Sequence, residues 1–357
     1  VPDLSPDQAR ALEAIEAFLS ARSPRRPYFT LHGLAGTGKT FVMARVARSH
    51  PGALLCAFTG KAASVLRART GLEVSTVHSA IYDFRGVDED EEGRKRPIFV
   101  SKEADFGGRI VLLDECSTVG ERLAEDLLET GARVVACGDP GQLPPVRDTP
   151  FFADPDATLT EVHRQAWGSP IIRQAHAVRA GRPYRADGTD FRVLGRATPE
   201  DHRAADVALC WRNATRRALN VSRRSAFGRG GRTLTEGEPL MCLKNDHGLK
   251  IWNGAVYEVA APRAPGAELT ILADGRRLTL PNVVVEGFDA DFEELRDLDG
   301  VTPLALAYAA TVHKAQGSEW PHVMVVDEYD RAPERVALLY TAFTRGAERV
   351  TVVRPGC

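Results

Sequence analysis

Eight consecutive residues, Gly33-Leu34-Ala35-Gly36-Thr37-Gly38-Lys39-Thr40, match the pattern G-x-x-x-x-G-K-[ST]. Glycines at this spacing let the backbone curl until its N–H groups face phosphate oxygens. Lys39 adds a mobile positive charge for β- and γ-phosphates, and Thr40 a hydroxyl for Mg²⁺. A phosphate loop of this kind also needs an acidic residue at the end of a neighbouring strand. Asp114 follows the apolar run Ile110–Leu113, where a metal ion would sit, and Glu115 could orient or deprotonate an attacking water. An Asp-Glu pair alone is a weak signal, because such pairs also begin helices; its company makes it strong. A third segment, Cys137-Gly138-Asp139-Pro140-Gly141-Gln142-Leu143-Pro144-Pro145-Val146, follows another apolar run. Its glycines and prolines fit a turn that ends a strand. Gln142 has no such explanation, and an amide beside a γ-phosphate could distinguish ATP from ADP.

These groups have to be held by regular elements. Phe29–Leu31, Ala53–Phe58, Ile110–Leu113 and Val134–Cys137 read as buried strands, with Thr40–Ser49 and Lys61–Arg69 as helices between them. Ahead of them, Ser5-Pro6-Asp7-Gln8 carries a helix N-cap, a first-turn proline and a capping-box glutamine. The pattern returns with strand Val207–Trp211, helix Ala214–Ser225, strand Val323–Val326, helix Glu334–Phe343 and strand Val350–Val353. Alternation of this kind predicts mostly parallel sheets covered by helices. Between the two halves, Leu240–Leu243, Ala255–Val259, Leu269–Leu272 and Arg277–Leu280 are short strand-like runs, separated by turn signals at Asn253-Gly254, Pro265-Gly266 and Asp274-Gly275. The expected fold class is therefore α/β: a first α/β domain over 1–150, a second over 151–235 and 286–357, and a small β-barrel inserted at 236–285. The acidic run Asp88–Glu92, followed by Arg94, Lys95 and Arg96, reads first as a solvated loop or hairpin tip.

A length of 357 residues allows about two domains. The formal net charge of -2 gives no global positive field, so a polyanion would have to be held by a local groove. None of the six cysteines forms a C-x-x-C pair, which argues against a zinc site. Cys56, Cys116 and Cys137 sit in or beside apolar runs, as buried reduced thiols do. Neither a signal peptide nor an 18-residue apolar stretch occurs, so export and membrane spanning are not expected and a cytoplasmic location is.

With the three phosphate-site motifs in place, the chain resembles superfamily 1 helicases, and most of all the 1B branch of RecD-like and Dda-like 5′-to-3′ enzymes. Asp7-Gln8 sits where that family reads adenine. Phe58-Thr59-Gly60-Lys61-Ala62-Ala63 and Ser75-Thr76-Val77-His78 resemble its early DNA-contacting motifs. Leu159-Thr160-Glu161-Val162-His163-Arg164-Gln165, Ala310-Thr311-Val312-His313-Lys314-Ala315-Gln316-Gly317-Ser318-Glu319-Trp320 and Leu339-Tyr340-Thr341-Ala342-Phe343-Thr344-Arg345-Gly346-Ala347 resemble the fourth, fifth and sixth motifs.

The resemblance implies two RecA-like motor domains that use ATP and Mg²⁺ between them to move along single-stranded DNA and open duplexes at junctions. Gly36, Thr37, Gly38, Lys39 and Thr40 would cradle the nucleotide, with Gln8 and Glu319 beside it and with Thr40 and Asp114 on the metal. Glu115 and Gln142 would serve the attacking water and the γ-phosphate. Arg164 and Arg345 would reach that phosphate from the second domain, a role that can be worth ~10³–10⁵ in rate. Thr59, Lys61, Thr76, His78, Thr311, His313, Lys314 and Ser318 match positions along the strand, where phosphate contacts position without reading sequence. Trp252 and Asn253 match a segment near the DNA; Trp252 could stack on a base, and core filling is an equal reading.

Two departures stand out. Cys116 stands where relatives often carry a different residue, and Tyr82–Val100 is short and acidic for a strand-splitting pin. The alternatives are a translocase that scarcely unwinds, a catalytically silent binding module, and an RNA motor, since these residues do not separate DNA from RNA. A monomer is expected.

Overall fold

The computed structural model describes residues 4–89, 95–101, 106–145, 148–162, 168–244, 246, 249, 251–264, 266–273, 276–289 and 301–354. The chain divides into two compact units. One comprises Val1–Tyr184, Gly317–Glu319 and Pro333–Thr344, and the other Arg185–Gln316, Trp320–Ala332 and Arg345–Cys357.

The elements of the first unit are α1 (Pro6–Ser20), β1 (Tyr28–Gly33), α2 (Lys39–Ser49), β2 (Leu54–Ala57), α3 (Gly60–Thr70), β3 (Val74–Thr76), α4 (Val77–Ile81), β4 (Tyr82–Glu89), β5 (Lys95–Ser101), β6 (Ile110–Asp114), α5 (Glu121–Glu129), β7 (Arg133–Gly138), β8 (Ala157–Leu159) and α6 (Pro170–Arg179). Six strands form a sheet in the order β3-β2-β6-β7-β1-β8, and every pairing in it is parallel. Side chains alternate across a strand, so each apolar run feeds two cores. Leu112, Val135 and Cys137 join Ile15, Met43, Val46 and Leu66 of α1, α2 and α3 on one face. Val111, Leu113, Val134 and Ala136 join Ile81 and Leu127 of α4 and α5 on the other.

β4 and β5 form a separate antiparallel hairpin at Tyr82–Val100, and its register sets Asp88 opposite Arg96 and Glu89 opposite Lys95. Two acidic positions thus stand opposite two basic ones in the register; residues 90–94 lie outside the described ones.

In the second unit β9 (Phe191–Leu194), α7 (Pro199–Ala204), β10 (Val207–Cys210), α8 (Asn213–Ala226), β11 (Pro239–Cys242), β12 (Val256–Val259), β13 (Leu269–Ala273), β14 (Arg276–Leu280), β15 (Val283–Val285), β16 (Thr302–Leu306), β17 (Ala309–Thr311), β18 (Trp320–Val326) and β19 (Gly346–Val353) build two sheets. The order β17-β10-β18-β19-β9 is parallel throughout. The order β14-β13-β12-β11-β16-β15 is antiparallel except for its last pair. α8 ties the second sheet in place through a polar face. Arg216 grips the Glu286 carboxylate with bonds of 2.9 and 2.7 Å, and Arg224 grips Glu238 at 2.6 and 3.2 Å. Asn220 donates to the Leu306 carbonyl at 2.8 Å and accepts from Ala309 N–H at 2.8 Å.

The compact units and the second sheet part from the expected bounds at three places. The first unit runs past 150 to Tyr184, because Ala157–Leu159 adds a sixth strand beside β1. Helix α9 (Arg335–Phe343), expected in the second domain, clusters with the first unit, where Tyr340 and Thr341 bond to its loops. The inserted sheet does not end at 285, because β16 lies between β11 and β15 and carries it to Leu306.

Candidate nucleotide site and strand track

The phosphate loop leaves β1 at Gly33 and enters α2 at Lys39. Gly36 and Gly38 hold φ values of 85° and 83°, a left-handed conformation that a side chain would strain. Gly38 is also the N-cap of α2, and no side chain caps that end, where N–H groups suit an anion. Thr37 closes the loop by donating to the Leu34 carbonyl at 2.8 Å. Gln8 does two jobs at once. Its carbonyl oxygen completes the capping box of α1 with Ser5, and its amide donates to the Thr37 carbonyl at 3.1 Å.

Lys39 Nζ donates to the Leu34 carbonyl at 3.2 Å and lies 3.7 Å from Asp139 Oδ2. Burial pulls its pKa down, but Asp139, Cys137, Glu115 and Asp114 more than offset that and raise it. Asp114 ends β6, and its carboxyl is pushed up to about 6 by burial and by Glu115. A cation beside it would offset both causes, so the residues present fit a divalent ion. Glu115 takes φ 57° and donates its N–H to Asp114 Oδ1 at 2.9 Å. Beyond β7, Gln142 buries its amide oxygen, which has no hydrogen-bond partner among the described residues. An orphaned buried acceptor of this kind marks a place where a donor or a ligand belongs.

Four residues of this site were not singled out from the sequence for a role. Asp139 accepts from Gly141 N–H at 2.8 Å and from the Tyr340 hydroxyl at 2.7 Å. Tyr340 in turn accepts from Ala35 N–H at 2.7 Å, and His176 reaches the Ala35 carbonyl at 3.0 Å. Thr341 accepts from Leu143 N–H at 3.1 Å, beside Gln142. Asp139 and Tyr340 both lay in recognised motifs, but only their spatial meeting gives them a task. Glu319, expected beside the nucleotide, forms an ion pair with Arg69 of α3. Arg164 lies outside the described residues. Arg345 is buried in the second unit, where its carbonyl accepts from Trp320 N–H at 3.0 Å.

The expected strand contacts fall into two groups. In the first unit Thr59 and Thr76 cap α3 and α4, accepting from Ala62 and Ser79 N–H at 3.1 Å each, and Lys61 is exposed on the first turn of α3. Gly317 packs onto that end of α3 so closely that a Cβ there would lie 2.7 Å from Ala62 Cβ, which sets Ser318 beside it in the chain. His78 stands between the rings of Phe58 and Tyr82, each 5.9 Å away, and burial against them lowers its pKa. In the second unit Lys314 donates to Asn253 Oδ1 at 2.7 Å, and its N–H reaches Thr311 Oγ1 at 3.4 Å. His313 begins the same short turn. Trp252, beside Asn253, is 42% exposed, which takes it out of the core.

Comparison with known proteins adds sequence relatives to this geometry. The family described as AAA domain matches residues 3–191, and the UvrD-like helicase C-terminal domain matches residues 306–353. The chain is similar to the ATP-dependent RecD2 DNA helicase of Deinococcus radiodurans, with 34% identity over 329 residues that cover 83% of this chain and 42% of that protein. It is similar also to the ATP-dependent DNA helicase dda of Enterobacteria phage T4, at 31% over 200 residues, covering 50% and 43%. The chain thus spans less than half the length of these two curated relatives. Among solved structures, Bacteroides Pif1 bound to ssDNA superposes with a TM-score of 0.59 at 17% identity, over 99% of this chain and 92% of that one, a likeness of fold.

Proposed function

Because the chain belongs to the AAA-domain family, in the RecD-like 1B branch of superfamily 1 helicases, we propose that it is an ATP-driven motor that moves on single-stranded DNA and unwinds duplexes. One observation carries this reading: Lys39 lies 3.7 Å from the buried Asp139 at a left-handed glycine loop, with Asp114 and Glu115 adding to the negative charge that raises its pKa. That arrangement suits phosphoryl transfer, where catalysis is mostly positioning and charge stabilisation.

In this proposal Lys39 and the first-turn N–H groups of α2 hold the phosphates. Gln142 turns its orphaned amide oxygen towards the water or its donors, and Glu115 accepts the proton of the attacking water. Thr40 and Asp114 would hold Mg²⁺, which supplies neutralisation of phosphate charge when bound. Gln8 borders the adenine. Arg345 and Arg164 follow from the resemblance as the arginines that meet the γ-phosphate. The strand track is Thr59, Lys61, Thr76, His78 and Ser318 together with Thr311, His313, Lys314, Asn253 and an exposed Trp252. The mostly antiparallel sheet β11–β16 corresponds in this proposal to the inserted SH3-like barrel of this family, and the two units to its motor domains. Travel is 5′ to 3′, and the working unit is a monomer.

The deciding experiment is steady-state ATP turnover with and without single-stranded DNA, alongside Lys39→Ala. Stimulation by DNA that the substitution abolishes is the expected result. Turnover indifferent to nucleic acid would remove the motor and leave only the nucleotide site.

A further inference from the structure

We infer that Asp139 is the resting counterion that incoming phosphate must displace from Lys39, and that Tyr340 sets how firmly Asp139 holds on. The inference rests on the nucleotide reading of the loop. Lys39 Nζ and the Tyr340 hydroxyl meet the same oxygen, Asp139 Oδ2, at 3.7 and 2.7 Å. Asp139 is only 1% exposed, so little water screens the pair.

The carboxylate cannot follow the lysine when it leaves. Its other oxygen is fixed by Gly141 N–H at 2.8 Å. Tyr340 is fully buried and is itself pinned by Ala35 N–H at 2.7 Å. The Ala35 carbonyl is held at 3.0 Å by His176. Once Lys39 turns to a phosphate, a stationary negative charge stays behind it. That charge competes for the ammonium and repels the nucleotide, so it favours release. The Tyr340 hydroxyl works the other way. By donating to Oδ2 it satisfies part of that oxygen and loosens its claim on Lys39.

Two nearly isosteric substitutions therefore have opposite signs. Asp139→Asn keeps an oxygen for Gly141 N–H and removes the charge. Tyr340→Phe keeps the ring and the charge and removes the competing donor. A purely structural role for either residue would weaken binding in both variants.

The test is equilibrium binding of a fluorescent ADP to the full chain, with thermal melting as the check on folding. Asp139→Asn should bind about 5–10-fold tighter and release more slowly, and Tyr340→Phe about threefold weaker or more, the scale of one charge-assisted contact. Unchanged or weaker binding by a folded Asp139→Asn overturns the inference. Should that variant not fold, Asp139→Ser must show the same tightening. Should neither fold, Tyr340→Phe decides, read with Lys39 present and in a Lys39→Ala background, because the substitution also costs Ala35 N–H its acceptor: weakening that disappears without Lys39 supports the inference, and weakening that persists there, or equal or tighter binding with Lys39 present, overturns it. If the unsubstituted protein binds no ADP, the nucleotide reading itself has failed, which is a different result.

Discussion

Glu115 is the one non-glycine residue at positive φ among the described residues, at 57°. A left-handed conformation there costs about 1–2 kcal/mol, and such strain persists where the surroundings impose it. Here the imposition is visible, since the turn that follows β6 brings Glu115 N–H onto Asp114 Oδ1 at 2.9 Å. Two carboxyl-bearing residues follow one another at this strand end, and burial and Glu115 together raise Asp114 to about 6. If Glu115 is the base for the attacking water, Glu115→Gln removes the proton acceptor and leaves shape and backbone alone. Its ATP affinity should stay within about twofold of wild type while turnover falls about 10²–10⁴-fold, the range for a lost general base. Single-turnover hydrolysis with nucleotide binding measured in parallel checks this. Turnover within a few fold of wild type would hand the water to another group.

At the scale of elements, α8 was legible as a helix but not in its role. Its buried face carries Arg216, Arg223 and Arg224, residues that pattern reading assigns to solvent. Their partners lie 70 residues on for Arg216 and 14 for Arg224, with Glu286 and Glu238 set beside strands whose pairing no local signal reveals. Breaking such a pair is costlier than lacking it, because a charge is left buried. Arg224→Met should destabilise the chain by about 3–5 kcal/mol, with Glu238 left fully buried beside it. Arg224→Met with Glu238→Leu should recover most of that loss in urea unfolding; a double variant no better than the single one would show that the pair's other bonds matter more.

Similar physics separates what could be read from what could not. The phosphate loop was plain because its pattern fixes glycine at 33 and 38, and the left-handed backbone at Gly38, as at Gly36, is the geometry that demands it. β16 was hidden because Pro303 interrupts an apolar run that pairs on both sides. β8 was hidden because three residues, Ala157–Leu159, are too few to show a period. Asp139 and Tyr340 were named in motifs, but their bond joins residues 201 apart.

The hairpin of β4 and β5 was read as a short pin with an awkward charge run, and its register sets Asp88 and Glu89 opposite Arg96 and Lys95. Its root is anchored, since the Tyr82 hydroxyl donates to Asp126 of α5. Deleting residues 86–96 beyond that root should leave DNA-stimulated ATP turnover within about twofold and reduce strand displacement about tenfold or more, as expected of a part that acts only on the duplex. Unwinding at the wild-type level would remove the hairpin from the mechanism and favour a wedge elsewhere.

The whole molecule carries a formal net charge of -2, so no long-range field draws a polyanion to it. Affinity for a strand has to come from the proposed track, in which hydroxyls, an amide and aromatic rings outnumber cations. Lys61 is exposed on α3, while Lys314 is partly desolvated, with its pKa lowered by burial and its ammonium held by Asn253. Each phosphate neutralised on a single strand contributes about -0.7 to the slope of log K against log salt. With two lysines engaged, the slope for a short oligonucleotide should lie near -1.4, and hydroxyl contacts and stacking on Trp252 add affinity without adding slope. Lys61→Ala should make the slope shallower by about 0.7. Trp252→Ala should weaken binding about 5–100-fold at every salt concentration and leave the slope unchanged. Fluorescence anisotropy across a salt series measures all three. A slope near -5 in the unsubstituted protein would mean that a basic groove outside these residues grips the strand, and the track would have to be redrawn around the arginines that line it.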